Sequence, residues 1–495
     1  MTDAVLALDL GTTGNRAIIY GKDWSILSSS YAEFDQIFPK PGWVEHNASQ
    51  IWETAVTVMK EAISSLPSST IISAMGITNQ RETVIVWDKT SGTPLYNAIV
   101  WQCRRTTFKC HEMSPHKETI RSKTGLPLDP YFSATKIQWL LENVPNIEMF
   151  LDQDRLCFGT VDSWILWKLT NGAVHATDES NASRTMLVNL ETGRYDPDLL
   201  TLFNIPEKIL PKIKASDAMV GHTDEKQIGL RIPITAVLGD QQAALFAQCG
   251  EDVSAIKNTY GTGLFIVKPT LSRVFSDTLV STIAWNRSGH RGYALEGSVF
   301  IGGSVIQWIR DQCGWMTDAS ESESLAESVS SSDGLYFVPS FTGLGAPHWT
   351  PETRGTLFGL TRGSTPAHIT RAALESLAYQ SADVIEIIKT LFPDQPIKCL
   401  YVDGGACQNN FLMQFQSDML GLNIQRPADI ESTAKGIAGL AAISANLCTE
   451  EEFRSQTSIE ATFSPKMPHE ERKIHMDGWK KAVRHTIRYY SDDTL

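Results

Sequence analysis

The chain opens with a short run of small apolar residues, Val5 to Leu10, interrupted by Asp9, broken by Gly11-Thr12-Thr13-Gly14 and resumed from Ala17 to Tyr20. Runs this short, rich in β-formers and bounded by glycine, predict two strands of one hairpin. AMGIT (74–78), the turn NQRE (79–82) and TVIVWD (83–88) predict a second hairpin by the same pattern. Apolar residues at helical spacing predict helices over 135–144, 241–248, 304–312, 368–391 and 411–420, and an amphipathic helix with a basic face over 478–490. The polar stretch 64–70 reads as a surface loop, and the Ser/Glu-rich stretch 317–334 as a solvated helix with its loop. Strands alternate with helices throughout, which gives an α/β class.

A length of 495 residues exceeds what one core usually serves, so the chain divides into two domains, 1–247 and 248–495, with the last helix expected to pack back on the first. The apolar fraction of 42% and charged fraction of 20% are those of an ordinary globular protein. A net charge of −13 argues against nucleic acid and anionic membranes as partners. The eight cysteines contain no C-x-x-C pair, which suggests reduced thiols in a cytoplasmic compartment. The N-terminus lacks the pattern of a signal peptide, and the longest small-apolar run, GIAGLAAISANL at 436–447, is too short to span a bilayer.

Glycine turns carry the candidate chemistry. Gly11 and Gly14 let a turn aim several backbone N–H groups into one concavity, and Thr12 and Thr13 add hydroxyls. Such a nest suits phosphate, and Asp9 beside it suits the Mg²⁺ that a phosphate carries; the alternative is a plain hairpin with an exposed Asp. A similar turn recurs in NTYGTGLFIV (258–267), and a third in YVDGGACQNN (401–410). In PITAVLGDQQAALF, Asp240 stands where an apolar strand meets a helix. Two similar halves, each presenting such a turn to a common cleft, suit a clamped nucleotide.

Longer segments carry a resemblance. LDLGTTGNRA, PKPGWVEHN (39–47), ITNQRETVIVWD (77–88), NAIVWQCRRT (97–106), DPYFSATK (129–136), TDESNASRTML (177–187), GDQQAALF (239–246), KNTYGTG (257–263), FTGLGAPHW (341–349) and VDGGACQNNFLMQFQSD (402–418) resemble the FGGY carbohydrate kinases, and within them the glycerol kinases. YFSATKIQWLLEN (131–143) and GTLFGLTRGSTPAHITRAALE (355–375) resemble the general signatures of that family. The similarity runs from about residue 4 to about residue 484. It implies an actin-like ATPase fold, with two ribonuclease-H-like domains and a nucleotide cleft between them. It also implies ATP and Mg²⁺ as cofactors, glycerol as acceptor, phosphorylation to sn-glycerol 3-phosphate, and a homodimer or homotetramer. A kinase for another polyol or a pentulose, or an actin-like ATPase without a small acceptor, are the rival readings.

By resemblance, Asp240 is the catalytic base, although its position also suits a helix N-cap, whose dipole would lower its pKa. Arg81 and Glu82 are glycerol ligands, where a solvated ion pair at a hairpin turn is the plainer reading; Arg offers only donors and a carboxylate only acceptors, so together they suit neighbouring hydroxyls. Tyr131 and Gln241 complete the polyol hydrogen bonds, and Trp101, otherwise a core residue, covers the carbon chain. Thr12, Thr13, Gly14 and Arg16 match the first phosphate loop, and Gly261 and Thr262 the second. Gly303, Gln307, Gly405, Ala406 and Asn410 match positions around the α-phosphate, ribose and adenine, and Asp9 matches a Mg²⁺-associated carboxylate acting through water. Gly14-Asn15 stands where two hydroxyl residues are common, which removes a side-chain donor from the first loop.

Overall fold

The computed structural model describes residues 2–491. Its first half is built on a six-stranded sheet: β1 (Thr2–Leu10), β2 (Gly14–Gly21), β3 (Ile26–Glu33), β4 (Thr70–Asn79), β5 (Gly221–His222) and β6 (Pro233–Gly239), in the order β5-β6-β4-β1-β2-β3. The second half carries β7 (Ala255–Tyr260), β8 (Leu264–Thr270), β9 (Val280–Arg287), β10 (His290–Val299), β11 (Cys399–Asp403), β12 (Asn423–Pro427) and β13 (Ile459–Phe463), in the order β9-β10-β8-β7-β11-β12-β13. In each half an antiparallel trio (β3-β2-β1, then β10-β8-β7) continues into parallel strands (β4 and β6, then β11 and β12). This repetition is the pair of ribonuclease-H-like domains with a cleft between them.

The first hairpin forms with Asp9 opposite Arg16. The second does not. β4 already has β1 on one edge and β6 on the other, so the strand Ile85–Asp88 leaves the sheet and pairs with Leu156–Gly159. Glu82 makes that exit with a left-handed backbone, φ 61°. Helices form at the expected places for α1 (Ser133–Asn143), α2 (Asp240–Gln248), α3 (Pro366–Leu391) and α4 (Asn410–Leu420); the small-apolar run forms a helix that was not expected, α5 (Ser432–Ser444), and the last helix, α6 (His469–Ser491), starts earlier than expected. The helix expected over 304–312 is α-helical for Ser304–Trp308 and then widens to a π turn, Ile309–Cys313. The Ser/Glu-rich stretch holds one short helix, Glu321–Glu327.

The last helix does not pack on the first domain. Trp479, Ala482 and Val483 of α6 sit in the core of the second half; Trp479 Nε1 donates to Asp383 Oδ2 at 2.6 Å, and Lys480 pairs with Glu386 at 2.8 Å, both on α3. The element that crosses is α5, the small-apolar run. Its Ala434, Ile437, Ala438 and Ala441 share a buried cluster with Val5, Ala7, Ala74, Ala236 and Leu238 of the first sheet. Small residues make that approach possible: a Cβ on Gly436 would stand 1.9 Å from the Ala243 carbonyl, and one on Gly76 2.5 Å from that of Ile437. No helix of the described residues is long and apolar enough to cross a membrane. All eight cysteines are unpaired.

Candidate active site

The turn between β1 and β2 and the turn between β7 and β8 face each other across a cavity of about 480 Å³. Asp9, Thr12, Thr13, Gly14, Arg16, Arg81, Glu82, Trp101, Tyr131, Asp240, Gln241, Gly261, Thr262 and Gly405 all line it. A neighbouring cavity of about 600 Å³ shares Thr13, Gly261, Thr262 and Gly405 and adds Gly303, Gln307 and Ala406. Asn410 lines neither. It starts α4, and its backbone N–H and side-chain amide donate to Glu323 at 3.1 and 3.2 Å. The preceding Asn409 caps the helix by accepting from the Leu412 N–H, and lines the second cavity instead.

Asp240 is the first residue of α2, behind a Gly239 N-cap, and so is not itself the cap. Its Oδ1 accepts from Arg81 Nε at 3.1 Å and from the Gln241 N–H at 2.7 Å, and its side chain keeps about a quarter of its surface (26%) open to the cleft. Burial raises its pKa above the ordinary aspartate value, against the attraction of Arg81 and Lys257, so the lowering expected from the helix N-terminus does not prevail. Lys257, on β7, acts on it through its charge and donates to Gln241 Oε1 and, at 2.6 Å, to Thr259 Oγ1. Burial lowers that ammonium to about 8, with Asp403, Asp240 and Glu296 opposing the fall.

Arg81 and Glu82 are not a solvated pair; they are 2% and 1% exposed. Their mutual approach is only 4.0 Å, because each has a better partner. Arg81 grips Glu296 end-on, Nη1 to Oε2 at 2.6 Å and Nη2 to Oε1 at 3.0 Å, while Glu82 accepts from Arg184 Nε at 2.5 Å. Arg184 Nη2 also reaches Glu296 Oε1 at 2.9 Å and the Tyr131 hydroxyl at 3.3 Å. Burial alone would push both carboxyls up. For Glu82 it prevails and the pKa is raised, whereas at Glu296 Arg184 and Arg81 outweigh it and hold the group at about 2. Trp101 and Phe265 wall the cavity with rings 5.8 Å apart, and the Trp101 indole N–H donates to Thr12 Oγ1 at 3.0 Å, tying that wall to the first glycine turn.

The two glycine turns are backbone structures. Gly11 N–H bonds the Gly14 carbonyl and Gly261 N–H the Gly263 carbonyl, each at 3.0 Å. Gly14 has a steric reason to be glycine: a Cβ there would lie 2.5 Å from the Ala32 carbonyl on β3. The neighbouring Asn15 is buried and donates to the Ile51 carbonyl and to Thr54, so it serves the scaffold. Arg16 ion-pairs with Glu431 from the other half, at the mouth of the cavity. Asp9 is pushed up to about 7 by burial and by Asp240, with Arg16 opposing and Asp403 adding to the rise.

Arg184, Glu296, Lys257, Phe265 and Glu431 were not among the residues singled out from the sequence. Lone charges inside otherwise apolar strands (Glu296 in YALEGSVF, Lys257 in AIKNTY) were the available signal, since such charges require buried partners.

Comparison with known proteins gives the class first. Residues 4–247 match the N-terminal domain, and residues 256–445 the C-terminal domain, of the FGGY family of carbohydrate kinases. The chain belongs to that family. Among curated proteins it is 49% identical over 488 residues to glycerol kinase of Paraburkholderia phytofirmans, covering 97% of each chain. It is 48% identical over 501 residues to glycerol kinase of Burkholderia vietnamiensis, covering 99% of each. Among solved structures it matches Plasmodium falciparum glycerol kinase with ADP at a TM-score of 0.88, with 34% identity over 98% of both chains.

Proposed function

We propose that the chain transfers the γ-phosphoryl group of ATP to glycerol, giving sn-glycerol 3-phosphate and ADP. One observation carries this: a single cavity joins a polar acceptor pocket to two glycine phosphate turns, with Asp240 at their junction. The near full-length similarity to glycerol kinases supports the choice of acceptor.

Glycerol is neutral and offers only hydroxyls. Arg81 supplies donors, Glu82 acceptors, and Tyr131 and Gln241 complete the set around the polyol, while Trp101 and Phe265 flank its carbons. Asp240 accepts the proton of the attacking hydroxyl, and its raised pKa makes it a stronger base than a free aspartate. Arg81 and Lys257 keep it ionised for that purpose. The backbone N–H groups of the two turns, other than those of Gly11 and Gly261 that bond within them, cradle the phosphates, and Arg16 offsets charge developing on the γ-phosphate once Glu431 releases it.

The residues present fit Mg²⁺. Asp9, Asp240 and Asp403 crowd negative charge where burial already disfavours it, and Asp403 Oδ1 is buried without a partner. Among the described residues no three such side chains stand close enough to ligate an ion together, which suits a cation held through its water shell by Asp9. Bound there, Mg²⁺ would supply charge neutralisation for the phosphates. The same reading takes the protein as a cytoplasmic homodimer or homotetramer; unpaired cysteines support the compartment, and light scattering of the purified protein tests the assembly.

The test is ADP release with MgATP and glycerol, dihydroxyacetone, xylulose or no acceptor. Release that depends on glycerol and collapses in Asp240→Asn is expected. Preference for xylulose would assign a pentulose kinase, and equal release without acceptor an ATPase.

A further inference from the structure

Glu296 lies on β10 of the second half, yet both of its guanidinium partners, Arg81 and Arg184, belong to the first. It is wholly buried and does not line the cavity, so it touches neither acceptor nor phosphates. Its carboxylate occupies both terminal nitrogens of Arg81, and Ser298 Oγ fixes it further at 2.6 Å. With that end of the guanidinium held, Nε is left pointing at Asp240. Of the other two carboxylates beside Arg81, Asp240 meets only Nε, and Glu82 stands 4.0 Å away, engaged by Arg184.

Two guanidiniums packed this closely need two carboxylates, and one of the two comes from the opposite half of the protein. We propose that Glu296 is a positioning residue for the acceptor: carried by the half that bears the second phosphate turn, it sets the orientation of Arg81, so the acceptor pocket is complete only when the two halves are together. This rests on the acceptor reading given above. It differs from a purely structural ion pair in what it predicts. A bond that only held the halves together would, when broken, disturb the phosphate cleft and the acceptor pocket alike, since both halves line both. A bond that orients Arg81 disturbs the acceptor alone.

The experiment compares KM for glycerol and for ATP in the wild type, Glu296→Asp and Glu296→Gln, and repeats Glu296→Gln in an Arg81→Ala background. Glu296→Asp keeps the charge and decides the matter if the Gln variant does not fold. The KM for glycerol should rise about tenfold or more in either variant, while that for ATP stays within about twofold. In the Arg81→Ala background the Gln substitution should leave kcat/KM for glycerol within about twofold of Arg81→Ala alone, because the guanidinium it orients is gone and Arg184 still has Glu82 to hold it. Equal rises in both KM values, an unchanged glycerol KM, or a full further loss without Arg81 would overturn the proposal. A wild type lacking glycerol-dependent turnover would instead overturn the acceptor assignment, so the two failures are told apart.

Discussion

The buried-charge end and the glycine-turn end of the cleft, on our proposal the acceptor end and the phosphate end, are built by opposite means. At the acceptor end Arg81, Glu82, Arg184 and Glu296 are at most 2% exposed and are locked by one another. At the phosphate end the work falls to glycine backbone, and the guanidinium there, Arg16, keeps about a third (31%) of its side chain in solvent. A small neutral polyol is recognised only by where its hydroxyls point, so its partners must be immobilised before it arrives. A polyphosphate brings its own charge and is satisfied by many amides of modest individual precision. Rigidity is placed where the ligand gives least to hold.

The comparison is broken hardest at the junction. Asp240→Asn should lower kcat by about 10²–10⁴-fold with little change in either KM. In the wild type kcat/KM should fall on the acid side with a midpoint above the ordinary aspartate value of about 3.9, since burial raises this carboxyl; a midpoint at or below it would exclude Asp240 as the titrating base. Next comes the acceptor end, where Arg81→Ala takes a guanidinium away from both Asp240 and the buried Glu296 and should cost about 10–100-fold in kcat/KM for glycerol.

The phosphate end should respond in the other parameter. A Cβ on Gly263 would lie 2.5 Å from the Val299 carbonyl, whereas one on Gly261 meets nothing nearer than 3.9 Å. Gly263→Ala should therefore raise the KM for ATP about tenfold and leave that for glycerol unchanged, while Gly261→Ala is far milder; equal effects would show that steric room is not what these glycines provide. Smallest is Glu431→Ala, which frees a partly exposed Arg16 and should lower the KM for ATP about two- to fivefold at low salt, the gain shrinking as salt is added.

Stability should also record the difference. Glu296 is held at about 2 in the folded protein, below its ordinary value of 4.5. Its ion pair thus contributes stability that is present above about 4.5 and lost as pH falls toward about 2. Thermal unfolding of Glu296→Gln should be lower than wild type at pH 7, with the gap narrowing as the pH is taken down; a constant gap would mean the charge is not what matters.

The two glycine turns were legible because everything that makes them is local: glycines between short apolar runs, repeated in two halves. The helices α1 to α4 were legible from their periodicity for the same reason. The partners of Arg81 were not legible. Glu296 and Arg184 stand far along the chain, and Glu82 next door made a solvated pair the natural guess. The second hairpin misled because a hairpin reading knows nothing of sheet neighbours, and β4 had both edges taken. The same blindness to distant contacts put α6 on the wrong half. Only the folded chain shows that α5 is the element that crosses.

That crossing has a consequence in time. The first sheet is finished at Gly239, yet the face formed by Val5, Ala7, Ala74, Ala236 and Leu238 receives its last cover from residues 432–444. At ordinary rates of synthesis, about 5–20 residues per second, the ribosome takes about 10–40 s to travel from one to the other. Throughout that interval the nascent first half carries an uncovered apolar strip, to be shielded by chaperones or by slow folding. A fragment ending at residue 247 should therefore bind an apolar dye and aggregate; a fragment that stayed monomeric and dye-free would show that the strip closes on itself.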